Sequence, residues 1–173
     1  MKKKPAVFLD RDGVINYDYG YVYKYKNFKL RPGVIKGLKL LTKNDYRIFI
    51  VTNQSGVARG FFKVEDVEFL HKLITKDFKK KKIIINEIKY SPFHIKGVIK
   101  KYKKNSKTRK PGNLMVKQLL KKWNTDLKKS FMIGDKNSDK ICARTSKLYF
   151  QFPKKNFFSQ IKSILNKNSL NFI

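Results

Sequence analysis

Residues 5–14 read Pro5-Ala6-Val7-Phe8-Leu9-Asp10-Arg11-Asp12-Gly13-Val14. Four consecutive apolar residues, flanked by a proline and a charge, predict a short buried strand that stops at Asp10. Two carboxylates two residues apart at a strand end can point into one pocket if the loop turns sharply, and Gly13 permits that turn. Taken alone, the pair also fits an ordinary turn, which Asp and Gly favour in any case.

The same pattern recurs outward from this stretch. Arg47–Val51 predicts a second buried strand, ending in Thr52-Asn53-Gln54-Ser55-Gly56. Ile83–Tyr90 predicts a third, Ser130–Ile133 a fourth ending in Gly134-Asp135, and Leu148–Phe152 a fifth. Amphipathic stretches lie between them. Pro32 to Lys43 carries Val34, Leu38 and Leu41 on one side, and Val64–Lys80 carries Val67, Leu70, Leu73 and Ile74. Pro111 to Trp123 carries Leu114, Leu119 and Leu120, Asn137–Ser146 is a short helix, and Phe157–Leu165 a last one. Residues 10–31 and 91–110 read as long irregular connections. Strands alternating with helices predict an α/β fold with a parallel sheet covered on both faces. Ligands of such sheets bind beyond the carboxyl ends of the strands. Asp10, Thr52 and Asp135 each follow a strand and should therefore converge at one mouth. No repeat or linker divides the chain, so residues 1–173 are expected to form one domain, with the motifs in a core of about 5–150.

Four motifs bear on chemistry. Beside Asp10-Arg11-Asp12-Gly13 stands Thr52–Gly56, where a hydroxyl and successive backbone N–H groups after a strand suit a phosphate. A strand-to-helix turn with capping residues explains it equally well. Arg109-Lys110-Pro111 puts two cations before a helix, which counts for little alone in so lysine-rich a chain. Gly134-Asp135-Lys136-Asn137-Ser138-Asp139 puts a carboxylate after a buried strand, as a hard cation requires, or caps a helix through Asn137 or Asp139.

The formal net charge is +30, a field that favours anionic partners: nucleic acid, acidic membrane or phosphorylated metabolites. Six of the 42 basic residues are Arg and the rest Lys, in a chain also rich in Asn, Ile and Phe. That mixture fits the codon bias of an AT-rich coding sequence spread over every exposed face. A nucleic-acid surface is more often clustered and Arg-rich, since the guanidinium fork grips phosphate bidentately. Cys142 is the only cysteine, which excludes an intrachain disulfide and fits a reducing cytosol. The apolar stretch after Met1-Lys2-Lys3-Lys4 is too short for a signal peptide, and no run has the length of a membrane span. A soluble, cytoplasmic protein is expected, with no membrane partner and no specific nucleic-acid partner.

Together, the order and spacing of the four motifs resemble the haloacid dehalogenase superfamily of phosphatases across about residues 5–150. Within it they resemble the D-glycero-D-manno-heptose 1,7-bisphosphate 7-phosphatase family. The stretches that carry the resemblance are Phe8–Asn16, Asp18–Val22, Thr52–Gly60 (TNQSGVARG), Arg109-Lys110-Pro111 and Gly134-Asp135-Lys136. The related histidinol-phosphatase branch shares the first and last motifs but differs around Gly20-Tyr21-Val22 and Ser55–Gly60.

The resemblance implies a three-layer Rossmann-like fold with a central parallel sheet and no large cap domain. It implies a Mg²⁺-dependent phosphatase that removes the 7-phosphate through an aspartyl-phosphate on Asp10. Asp12 would act as general acid and base, with Thr52 and Lys110 stabilising the transferring phosphoryl group. Mg²⁺ would be held by the Asp10 carboxylate, the Asp12 backbone carbonyl and the Asp135 carboxylate. Asp139 would orient Lys110 or a metal-bound water, with N-capping an equal alternative. Asp18, Tyr19, Gly20, Tyr21, Asn53, Gln54, Ser55, Arg109 and Lys136 would select the substrate, and Arg109 could grip a second phosphate. The destination, lipopolysaccharide core or another heptose glycoconjugate, also follows from the family, as does a lean toward a monomer.

Many relatives hold a structural zinc in the loop before the Arg-Lys-Pro motif. Here the matching positions read Ser91, Phe93, Ser106 and Thr108, so no zinc is expected, and Tyr90, Pro92, Phe93 and Tyr102 are candidates to pack the loop instead. His94 reads as a loop residue, His71 as a helix-face residue, and Trp123 and Phe150 as core. The competing functions are histidinol-phosphate phosphatase and a nucleic-acid binder or polynucleotide 3′-phosphatase.

Overall fold

In the computed structural model, residues 3–166 are described; Met1, Lys2 and the tail from 167 lie outside them. Five strands, β1 (Ala6–Leu9), β2 (Arg47–Asn53), β3 (Glu87–Ser91), β4 (Phe131–Ile133) and β5 (Tyr149–Gln151), form one parallel sheet in the order β3-β2-β1-β4-β5. Five helices join or follow them: α1 (Val34–Lys43), α2 (Val64–Lys80), α3 (Leu114–Lys122), α4 (Asn137–Thr145) and α5 (Phe157–Leu165).

Alternation along each strand builds the two faces, because successive side chains leave a strand on opposite sides. Val7, Leu9, Ile48, Ile50, Phe131 and Ile133 join one apolar layer with residues of α1, α2 and α5. Ala6, Phe8, Phe49, Val51 and Met132 join the other with residues of α3 and α4. A strand buried on both faces reads as a continuous apolar run, which explains Ala6–Leu9 and Ile48–Val51. The chain winds from β1 outward to β2 and β3, then returns to the other side of β1 for β4 and β5. The reversal lies between β1 and β4, where open α/β sheets form their crevice.

Several element boundaries differ from expectation. β3 begins at Glu87, not Ile83, because the Asn86 side-chain oxygen accepts the Ile48 N–H at 2.8 Å in place of a ladder carbonyl. β2 runs on through Thr52 and Asn53, which pair with Tyr90 and Ser91. Residues 32–33 and 111–112 form turns ahead of α1 and α3 instead of their first residues. The later start of α3 places Met115, Val116 and Leu119 in the core and leaves Leu114 and Leu120 half-buried. Leu73 is also half-buried, and the fully inward face of α2 includes His71 and Phe78. Trp123 and Phe150 pack at the margin of the α3–α4 layer. No helix among the described residues is long and apolar enough to cross a membrane.

Candidate active site

Asp10 leaves the end of β1, and its backbone N–H donates to the Ile133 carbonyl of β4 at 3.0 Å. That bond ties the two strand ends together, so Asp135, two residues past Ile133, comes up beside Asp10. The glycines allow the approach. A Cβ on Gly13 would lie 2.5 Å from Asp135 Oδ2, and one on Gly134 would lie 2.2 Å from Asp139 Cβ. Carboxylate oxygens of Asp10, Asp135 and Asp139 come within 4.8 Å of one another.

A buried cation meets this cluster directly. The ammonium of Lys110, almost fully buried, meets Asp139 Oδ1 at 2.6 Å, Asp10 Oδ1 at 3.1 Å and the Val51 carbonyl at 2.7 Å. Two carboxylates and burial act in opposite directions on it, and its pKa ends above the ordinary lysine value. Burial raises Asp10 to about 7, with Asp139, Asp12 and Asp135 adding to the rise and Lys110 opposing it. Burial also raises Asp135, whose Oδ1 is buried without a hydrogen-bond partner. An orphaned carboxylate oxygen beside a second, destabilised carboxylate is a donor set suited to a hard divalent cation. Asp139 is otherwise engaged: one oxygen pairs with Lys110, and the other accepts the Lys136 N–H at 3.0 Å at the start of α4. Capping and orientation of Lys110 are therefore done by the same side chain.

Asp12 is held from three sides. Arg11, with no exposed surface, reaches Asp12 Oδ2 at 2.8 Å and Oδ1 at 3.1 and 3.2 Å. Asn16 Nδ2 donates to Oδ1 at 2.9 Å and Gln54 Nε2 to Oδ2 at 2.9 Å. Arg11 also donates to the Val22 carbonyl and to Gln54 Oε1, and meets His71 Nε2 at 3.1 Å. Burial, then the Arg11 charge, lowers His71 to about 3, so the ring is neutral and accepts from the guanidinium. His71, expected as a simple helix-face residue, is thus a buried support behind the site.

A cleft of about 560 Å³ opens above these groups. Asp10, Asp12, Asp18, Gly20, Tyr21, Thr52, Asn53, Gln54, Ser55, Arg109, Lys110, Lys136 and Asp139 line it, together with Ser138, which sequence reasoning missed. Tyr19 does not line it; its ring stacks on Tyr17 at 6.0 Å and is 65% exposed. The Gln54 side chain also donates to Thr52 Oγ1 at 3.0 Å. Asn53 clamps the Lys110 backbone, donating to its carbonyl at 3.1 Å and accepting its N–H at 3.0 Å. Asp18 accepts the Gly20 N–H at 3.0 Å and pairs with Lys136 at 3.4 Å across the mouth. Arg11, Asn16 and His71 were also missed. The signal available was Arg11 itself, a charge wedged between two carboxylates at a buried strand end.

The loop beside Arg109 is held by hydroxyls and an aromatic pair. Thr108 Oγ1 meets Ser91 Oγ at 3.1 Å and Ser106 Oγ at 2.8 Å. The Phe93 ring lies 6.0 Å from Tyr102, and its carbonyl accepts from Arg109 at 3.2 Å. Tyr90 and Tyr102 pack against the small cluster of Val57, Phe62 and Val67.

Residues 14–163 match the family model described as polynucleotide kinase 3 phosphatase. The chain is 39% identical over 144 residues to a D-glycero-beta-D-manno-heptose-1,7-bisphosphate 7-phosphatase of Rhodopseudomonas palustris, covering 83% of this chain and 80% of that protein. It is 38% identical over 137 residues to a D-glycero-alpha-D-manno-heptose-1,7-bisphosphate 7-phosphatase of Photorhabdus laumondii, covering 79% and 75%. Among solved structures, D,D-heptose 1,7-bisphosphate phosphatase from B. bronchiseptica, complexed with magnesium and phosphate, superposes with a TM-score of 0.77 at 22% identity. The superposition covers 92% of this chain and 86% of that one.

Proposed function

From the premise that the chain belongs to the haloacid dehalogenase-type phosphatases, in the family of the D-glycero-D-manno-heptose-1,7-bisphosphate 7-phosphatases, we propose that it hydrolyses the 7-phosphate of D-glycero-D-manno-heptose 1,7-bisphosphate. The observation that carries this reading is the cluster at the β1–β4 crevice, where Asp10 and Asp135 adjoin each other and Lys110 is buried against Asp10.

In this reading Asp10 attacks the phosphorus, and the phosphoryl group passes to its carboxylate as the bond to the sugar oxygen breaks. Asp12 gives its proton to the departing oxygen, then takes one from the water that cleaves the aspartyl-phosphate. Arg11, Asn16 and Gln54 hold the Asp12 carboxyl at the cleft floor for both transfers. Thr52 and Lys110 supply a hydroxyl and a charge to the phosphoryl oxygens. Asp10 and Asp135 would hold Mg²⁺, with the Asp12 backbone carbonyl, and the bound ion would cancel the repulsion between carboxylate and phosphate dianion. Asp18, Tyr21, Ser55, Arg109 and Lys136 face the sugar side of the cleft and select the substrate. Gly20 shapes the strap that carries Tyr21, while Asn53 and Gln54 position Lys110 and Asp12. Ser91, Phe93, Ser106 and Thr108 offer neither thiolate nor imidazole, so we assign no zinc. The chain is read as a single-domain, monomeric cytoplasmic enzyme.

A second reading, removal of a 3′-phosphate from a polynucleotide, is favoured by the family model. One assay separates the alternatives: phosphate release with Mg²⁺ from heptose 1,7-bisphosphate, histidinol phosphate and a 3′-phosphorylated oligonucleotide. The bisphosphate should give the highest kcat/KM, and preference for either other compound replaces the assignment. Asp10→Asn should abolish turnover of the preferred substrate while the circular dichroism spectrum stays unchanged. Normal turnover in that variant discards the nucleophile.

A further inference from the structure

From Ile88 to Thr125 the sequence holds no Asp or Glu. Within that stretch Lys96, Lys100, Lys101, Lys103, Lys104 and Lys107 are all exposed, and none is in an ion pair among the described residues. Lysine alone marks nothing in a chain of net charge +30. Apolar exposure does. Among the described residues, the large aliphatic side chains left exposed are Ile84, Ile95, Val98 and Ile99. Three of these four fall in this one loop, at 58%, 73% and 41% exposure.

The loop is built so that they stay outside. The Val98 and Ile99 N–H groups both donate to the Ala58 carbonyl, at 2.7 and 3.0 Å. Gly97 lies against the same residue, where a Cβ would come 2.8 Å from the Ala58 carbonyl oxygen. Turns close on either side, from the Gly97 N–H to the His94 carbonyl at 3.0 Å and from the Tyr102 N–H to the Ile99 carbonyl at 2.9 Å. The inner side of the loop is therefore backbone. A Cβ on Gly60 would lie 3.5 Å from both Val98 Cγ2 and Ile99 Cδ1, so those two side chains sit together. Lysines flank them on aromatic supports: Lys101 Nζ stands 5.4 Å from the Tyr102 ring centre and Lys104 Nζ 4.4 Å from that of Phe93.

Charge and chemistry together select the occupant. Aliphatic side chains neither stack on bases nor hydrogen-bond to them, so they serve a nucleic acid poorly. A second copy of the chain would bring the same positive charge against itself. An anionic bilayer uses both features: its headgroups attract the lysines, and its acyl boundary takes the aliphatic side chains. Binding in the plane of the interface needs no spanning segment.

We propose that residues 94–107 form a docking surface for an anionic lipid bilayer, with Ile95, Val98 and Ile99 entering the acyl boundary and the lysines over the headgroups. The loop runs on into Arg109 and Lys110, so docking would hold the catalytic cleft beside the bilayer. The surface goes beyond the catalytic reading and does not depend on it.

The test is sedimentation of the full chain with vesicles of phosphatidylcholine alone, or with an equal part of phosphatidylglycerol, at about 0.15 M KCl. Wild type should bind the second and not the first. Ile95→Ser with Val98→Ser keeps every charge and should weaken binding about tenfold. Lys100→Gln with Lys101→Gln should weaken it by about fivefold for each charge lost. Lys79→Gln with Lys80→Gln, which removes the same charge from the exposed end of α2, should cost less. All three variants should keep the circular dichroism spectrum and the turnover of wild type. Absence of wild-type binding to anionic vesicles overturns the proposal. So does unchanged binding by the serine variant, or an equal loss in the two lysine variants, because either result makes the attraction one of net charge. A single-stranded oligonucleotide is the remaining probe. If it binds where vesicles do not, and the loop variants lose it, the surface belongs to nucleic acid and the proposal falls.

Discussion

Arg11 is completely buried, and every group it meets is polar: Asp12, Val22 carbonyl, Gln54 and His71. A buried charge is tolerated only with such partners, and removing one side of the arrangement strands the other. Arg11→Met should therefore cost about 3–5 kcal/mol in urea unfolding, the range for breaking a buried pair. It should also lower kcat, since Asp12 loses its main anchor. His71 makes a pH prediction. Folded, the ring resists protonation down to about pH 3; unfolded, it takes a proton near 6.5. Between those values the unfolded chain binds the additional proton, so this contribution is complete above 6.5 and is lost as pH falls toward 3. One proton gives a slope of up to about 1.4 kcal/mol per pH unit. His71→Gln keeps an acceptor for Arg11 and does not titrate. Its unfolding midpoint should fall less than that of wild type between pH 7 and 4, and parallel curves would remove His71 from the argument.

At the scale of elements, the site depends on close approach between the end of β4 and the first turn of α4. Gly134 is the tightest point, since a Cβ there would overlap Asp139 Cβ at 2.2 Å. Gly134→Ala must displace α4 or the Asp139 side chain, and with it the contact to Lys110. Overpacking of this kind costs typically about 1–3 kcal/mol. Thermal unfolding should report that loss, and kcat should fall by more than the stability change would suggest, because Lys110 loses an anchor. Element limits were partly legible. The α2 and α5 spans read from periodicity match the structure residue for residue. β3 did not, because Asn86 takes the place of a ladder residue through its side chain, and apolar content at 83–85 cannot reveal that. The α3 face was misread because it depends on the helix starting at Leu114, after a turn closed by the Gly112 N–H on the Arg109 carbonyl at 2.7 Å.

At the scale of the molecule, the +30 charge surrounds a cleft whose floor is acidic. A field of this sign speeds the encounter with a phosphorylated substrate, and salt screens it. The value of kcat/KM for the bisphosphate should fall by about tenfold between low salt and 0.5 M KCl. The value of kcat should change little, because the carboxylates and Lys110 act at contact distance within a buried floor. An equal loss in kcat would mean that salt disturbs the site itself.

The sequence alone determined the strand-end placement of Asp10, Thr52 and Asp135. Apolar runs have one burial pattern in a parallel sheet, and the polar residue that ends each run emerges at the same edge. Of the candidate site residues that the sequence singled out, all but Tyr19 and Asp135 line one cleft. Only the tertiary structure decided how those residues are held: Arg11 by Gln54, Val22 and His71, Lys110 by Asn53 and Asp139, and Arg59 against Arg109 and His94. These partners come from separate segments of the chain. Local spacing carries no information about contacts that exist only once the sheet has brought the segments together.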